Sequence, residues 1–169
     1  ARMGEMEGAL GRVMLNNLEG FHEARTTNAL YLAQCFEEIE GIEPLIPSEH
    51  ERGEGTNHAF YRLYARVNPA LLRPDWSRNR IISELVERGV PVQYGSCALI
   101  AHEKAFERFT AAQLSQWRGA SVAHRESIAF LVHPTLQQQD IEIIAHFVKD
   151  VMKQAVGVQP HNTTEHGFE

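Results

Sequence analysis

The chain has 169 residues, 43% hydrophobic and 22% charged, an ordinary globular balance with enough length for one domain and a real core. Its net charge is −6 and its Lys and Arg are scattered rather than striped, which argues against a nucleic-acid surface. No apolar run approaches the roughly 20 residues of a membrane helix, and an opening with Arg2, Glu5 and Glu7 does not read as a signal peptide.

From Met3 to Ile39 apolar residues recur at helical spacing: Met3, Met6, Leu10, Val13, Met14, Leu18 and Phe21, then Ala29, Leu32, Phe36 and Ile39. The pattern predicts one long amphipathic helix or two nearly collinear ones. Gly41 offers a stop, and Pro44 and Pro47 hold an extended segment. The polar run from Ser48 to Thr56, with Gly53 and Gly55, reads as a mobile loop. His58 to Val67 alternates, with Ala59, Tyr61, Leu63, Ala65 and Val67 on one face and His58, Phe60, Arg62, Tyr64 and Arg66 on the other. That predicts a half-buried strand.

Asp75 or Ser77 can cap a helix that carries Ile81, Ile82, Leu85 and Val86 and stops at Gly89. Val90 to Tyr94 reads as a short strand broken by Gly95, followed by an irregular stretch and a helical turn near 102–109. A short helix over 121–127 leads into the apolar strand Ile128 to His133, which Pro134 ends. Thr135 with Gln138 resembles a capping box for the last helix, whose inner face is Ile141, Ile144, Ala145, Val148 and Met152. Residues 1–156 thus read as one domain and 157–169 as a polar, disordered tail. The expected fold is α+β: a small three-stranded, mainly antiparallel sheet from 58–67, 90–94 and 128–133, with helices on one face and a long N-terminal helix.

No self-sufficient active site is legible. The sequence has no GxSxG elbow, no Walker loop and no HExxH. Gly53-Glu54-Gly55-Thr56 follows no strand, so it is a poor phosphate cradle. The nine histidines show no ligand spacing, and Cys35 and Cys97 lack CxxC spacing, so no metal is expected and both thiols are expected free in a reducing cytosol. Gly4, Gly8 and Gly11 each cost a helix up to about 1 kcal/mol. They suggest either a groove where another backbone comes close or an end that frays alone. The chain opens Ala1-Arg2-Met3 with the helical pattern already running, which reads as a piece of a longer protein. Tyr94-Gly95-Ser96-Cys97 follows a strand end, where loops often carry binding groups. Cys97 has no readable His-Asp partner and is not expected to act as a nucleophile.

Five stretches then agree in order and spacing with one family. Arg2-Met3-Gly4-Glu5-Met6-Glu7-Gly8-Ala9-Leu10-Gly11 resembles the "YRM-x-E-x-x-AA-x-G" helix start of the DegT/DnrJ/StrS aminotransferases. His58-Ala59-Phe60-Tyr61 resembles their "HAYY" strand, and Ile82 to Val90 their "L-x-x-x-L-x-x-RGI" helix and turn. Gly95-Ser96-Cys97 with Glu103-Lys104-Ala105-Phe106 resembles a "GSC…EKAF" substrate-side loop. Phe130 to Leu136 resembles the closing "LPLHP" or "FLVHPTL" strand.

The resemblance covers residues 1 to about 155. It implies the small domain of a type I fold, cut from a pyridoxal-phosphate (PLP) enzyme that aminates nucleotide-linked keto-sugars with a donor such as glutamate. It further implies a cytoplasmic homodimer whose large domain carries the cofactor-binding lysine upstream of this chain, so that the chain alone is inactive and holds no PLP. By the same resemblance, Arg2 lies near the cofactor phosphate of a partner's site. Tyr94 and Ser96 stand at the family's "HY" pair before the substrate loop, from which this sequence departs. His133 matches a frequent family histidine at the sugar pocket or, equally, a buried structural one. Two other classes stay open: a stand-alone small-molecule-binding regulatory α+β module, and a non-catalytic PLP-fold sugar regulator. The reading frame upstream of Ala1 separates the three.

Overall fold

The opening helix divides at Asn17. In the computed structural model of the chain, which describes residues 3–48, 58–95, 99–100, 104 and 117–157, α1 spans Glu5–Asn16 and α2 spans Leu18–Glu37. Asn16 and Asn17 are weak helix formers whose side chains compete with the backbone. The Asn17 N–H turns back to the Met14 carbonyl, a tightened bond that ends α1. The two helices differ in what they cover. α2 buries Ala29, Leu32, Ala33 and Phe36, whereas α1 buries nothing. Met6 on α1 is 88% exposed and Leu10 64%.

The sheet has four strands rather than three. β1 is Ile42–Leu45, β2 Leu63–Val67, β3 Val92–Tyr94 and β4 Ser127–Phe130, in the order β1-β2-β4-β3, with every neighbouring pair antiparallel. The strand that the sequence reading missed is β1, because Pro44 argues against a ladder position. Its place explains the tolerance: β1 lies at a sheet edge, where a residue without an N–H costs no inner hydrogen bond.

The second strand is also shorter than expected. Phe60 has φ of 40°, a conformation that L side chains rarely adopt, so the extended chain begins only at Leu63. The alternation flips there. Leu63, Ala65 and Val67 are buried as read, but upstream it is Phe60 that is buried and Tyr61 that is exposed. The other strands are trimmed at their ends, with 90–91 and 131–133 outside the ladder.

Helices α2, α3 (Arg78–Glu87) and α5 (Gln138–Ala155) enclose the core with one face of the sheet. Phe36 and Phe130 meet edge to face at 4.9 Å in its centre, with Leu32, Leu63, Ile81, Leu85, Ile128, Ile141, Val148 and Met152 around them. Each fully buried side chain of this size contributes roughly 1.5–3 kcal/mol. Ser77 caps α3 by accepting the Arg80 N–H, as one of the two sequence candidates. α3 ends in a Schellman motif: Gly89, at φ of 80°, bonds back to Val86, and Val90 bonds back to Leu85. α5 starts differently from the expectation. Asp140 accepts the Gln137 N–H, while Thr135 turns instead toward His133. Helix α4 (Arg118–Glu126) runs directly into β4. The proposed tail from 158 and most of the 48–56 loop lie outside the described residues.

Candidate functional site

Of the four residues singled out from the sequence, two are described, and these two lie apart. Arg2 and Ser96 lie outside the described residues. Tyr94 pairs with Ile128 at the last position of β3, whereas His133 follows the far end of β4, past the pairing of Val92 with Phe130. Tyr94 and His133 therefore lie toward opposite ends of the β3–β4 ladder.

The Tyr94 end is held by close backbone contact. Tyr94 is 53% exposed and Arg78, the first residue of α3, stacks over its ring at 4.8 Å. The Arg78 fork reaches further: Nη1 donates to the Ser127 carbonyl at 2.7 Å and Nη2 to the His124 carbonyl at 2.9 Å. Its Nε is buried without a partner. Burial pulls the Arg78 guanidinium below its ordinary range, and Tyr94 opposes that shift. The Ser127 carbonyl also accepts the Gly95 N–H at 3.3 Å. A Cβ on Gly95 would fall 2.6 Å from the Ser127 Cβ, so the two chains can approach this closely only with glycine there. The Leu99 N–H donates to His124 Nδ1, which ties the chain beyond the loop to α4.

The opposite end gathers residues from α2 and from the turn before β2. His22 Nε2 donates to the His58 carbonyl at 3.2 Å, and the Phe60 N–H donates to His58 Nδ1 at 3.2 Å. The ring contact of His58 with Phe60, at 4.4 Å, helps hold Phe60 in its strained conformation. Arg25 and Arg62 both approach the exposed ring of Tyr61, at 6.0 and 5.2 Å, as cation–π partners. Asn28, the one buried polar residue among those described, donates to the carbonyls of His133 and Leu136. His133 itself is exposed, and its Nδ1 is 2.8 Å from the Thr135 hydroxyl. His133 is therefore not the buried structural residue that the sequence left open.

Sequence reasoning missed Arg78 and the Arg25–Tyr61–Arg62 group. Arg78 left a signal. A cation in the first turn of a helix opposes the helix dipole, so its presence asks for another partner. Gly4, Gly8 and Gly11 meet no close backbone within the described residues. Among those residues no cluster of His, Cys, Asp and Glu could hold a metal, and no helix is long and apolar enough to cross a membrane. A cavity of about 300 Å³ lies between α2 and α5, lined by Tyr31, Cys35, His146 and Lys149.

Residues 1–149 match the model of the DegT/DnrJ/EryC1/StrS aminotransferase family. The chain belongs to this family. An aminotransferase from Psychrobacter cryohalolentis is 32% identical and superposes with a TM-score of 0.76 over 91% of the chain. Helicobacter pylori PseC, an aminotransferase involved in the biosynthesis of pseudoaminic acid, shares the fold at 19% identity and a TM-score of 0.73 over 90% of the chain. So does 3-amino-5-hydroxybenzoic acid synthase, at 16% identity and a TM-score of 0.74 over 91%. The chain spans only 40%, 38% and 40% of those three proteins. No curated protein matches it.

Proposed function

We propose that the chain is the carboxy-terminal small domain of a PLP-dependent aminotransferase that transfers an amino group to a nucleotide-linked keto-sugar. The pathway class is that of surface polysaccharides or antibiotic sugars, the donor is an amino acid such as glutamate, and the enzyme works as a cytoplasmic homodimer. The observation that carries this reading is the family match over residues 1–149 in a chain that spans about two fifths of its solved relatives.

PLP would supply the electron sink for moving the amino group. The residues present do not fit it. The chain has three lysines, Lys104, Lys149 and Lys153, and all three are exposed. None is an enclosed imine-forming amine, so no step of the reaction is assigned to this chain. Its role is to cover and line the site. Tyr94 and Ser96 are assigned to the substrate-side loop, and Arg2 to the region of the partner's cofactor phosphate. The exposed His133, at the other end of the ladder, is assigned to a separate part of an extended nucleotide-sugar ligand. The uncovered apolar face of α1 packs against the remainder of the parent chain, its large domain.

The reading is tested on two proteins. The isolated chain, incubated with PLP and reduced with borohydride, is expected to carry no stoichiometric label and to form no amino-sugar. In the full-length protein, Tyr94→Phe and Ser96→Ala are expected to change KM or kcat for the sugar without loss of PLP. One equivalent of PLP fixed on a single lysine of this chain refutes the domain assignment. Wild-type rates in both variants refute the loop assignment.

A further inference from the structure

Three segments meet under one guanidinium. The end of β3 supplies the Tyr94 ring, the end of α4 supplies the His124 carbonyl, and the start of β4 supplies the Ser127 carbonyl. None of the three contacts replaces another, because they engage the face and two separate N–H donors of one planar group. The same Ser127 carbonyl receives the Gly95 N–H. Among the described residues Tyr94 lies on an edge strand: β3 pairs with β4 alone, and it is three residues long. Tyr94 is about half exposed and is not among the described residues that pack on the core. Beyond it, Gly95 is the point where the chain leaves the ladder.

We infer that Arg78 is a positioning residue: it fixes the Tyr94 ring and the Gly95 exit, and so sets how Tyr94 meets the substrate. This rests on the assignment of Tyr94 to the substrate side of the site. Three features single out the arginine. Lysine could reach one carbonyl but could not form the fork and the ring stack together. The side chain sits where the helix dipole disfavours a cation. It is oriented by two carbonyls rather than by a carboxylate, so its plane is set by the backbone of the elements that it joins.

The experiment uses the full-length protein with Arg78→Met, Arg78→Lys and Tyr94→Phe. One readout is structural and independent of any substrate: 3-fluorotyrosine placed at position 94 and followed by fluorine NMR. One narrow line is expected in the wild type, and a shifted, broadened or doubled line in Arg78→Met, whose apolar side chain keeps the stem but offers neither the fork nor the charge. Arg78→Lys is expected to restore the line only in part. The same line in wild type and Arg78→Met overturns the inference. Amide exchange supplies a second measure should Arg78→Met fold poorly: Gly95 loses protection in Arg78→Lys while Leu63 and Phe130 keep theirs. Equal protection at Gly95 also overturns it.

The kinetic readout uses whichever of the UDP-, dTDP- or GDP-linked 4-keto-6-deoxyhexoses the wild type turns over. Misplacing a binding group by about an ångström costs up to about a hundredfold. Arg78→Met is expected to raise sugar KM by about tenfold or more, with the donor KM unchanged. A loss of folded protein would instead lower kcat alone. Wild-type sugar KM in Arg78→Met beside a raised KM in Tyr94→Phe overturns the inference and leaves the Tyr94 assignment standing. Wild-type KM and kcat in Tyr94→Phe together remove that assignment, and the inference with it.

Discussion

Gly41 and Gly89 form a natural pair for separating backbone strain from packing. Their φ angles are nearly equal, 86° and 80°. A Cβ at Gly89 meets nothing within 4 Å, whereas a Cβ at Gly41 falls 2.9 Å from both Met152 Cε and Val156 Cγ2. Gly89→Ala therefore measures the left-handed conformation alone, a cost of about 1–2 kcal/mol. Gly41→Ala adds overpacking, which costs about 1–3 kcal/mol in a close-packed interior. Met152 Cε is the end of a flexible chain and can yield, but the Val156 methyl moves only with its stiff χ1. The lower part of that range therefore applies, and Gly41→Ala should be less stable than Gly89→Ala by about 1 kcal/mol. With an m-value of about 1–3 kcal/mol/M, the urea midpoints should differ by about 0.3–1 M. Urea unfolding followed by far-UV circular dichroism checks this, with equal m-values as the condition for comparison. A Gly41→Ala midpoint at or above that of Gly89→Ala refutes the packing argument.

Two further outcomes follow from the helices. Burial pushes the Cys35 thiol up from its ordinary range, and the Glu38 and Glu142 carboxylates add to the shift. Its alkylation by iodoacetamide should be slow at neutral pH, and should rise as the pH passes above the ordinary thiol range. Fast modification at pH 7, measured by mass spectrometry on the Cys35 peptide, refutes this. The apolar residues of α1 should drive concentration-dependent association of the isolated chain. Met6→Glu with Leu10→Glu should abolish that association in sedimentation velocity, and a wild-type monomer at high concentration counts against the bare face.

Much of the fold was legible because hydrophobic period and turn chemistry agreed. The Ser77 cap, the Gly89 stop and the inner face of α5 all appear where the pattern put them. The misses have local causes. Pro44 hid β1, since whether a proline is tolerated depends on whether the strand is an edge, and sheet order is not written in local sequence. The alternation from His58 to Arg62 looked like a strand because period 2 is blind to a single residue at positive φ. Phe60, the last residue type expected there, is held by His58 and sets β2 back to Leu63.

The candidate site was legible only at its labelled residues. Tyr94 could be picked from a strand end and a family motif, because both are contiguous in sequence. Arg78 showed only as a cation in the first turn of a helix, and its partners could not be picked, since they are backbone carbonyls 46 and 49 residues away and any residue type supplies a carbonyl. The same limit separates Tyr94 from His133: both carry motif signals, yet the antiparallel register sends them to opposite ends of one ladder. A motif names residue types, whereas a site is made by register. The register in this domain makes two clusters of side chains, one gathered by Arg78 and one by the strained turn at Phe60. α2 leads from the second toward α1, the helix whose apolar face the domain leaves bare. That end therefore borders the surface that the large domain is proposed to cover. The Arg78 end is assembled within the domain: the ring and both carbonyls that hold the guanidinium belong to this chain.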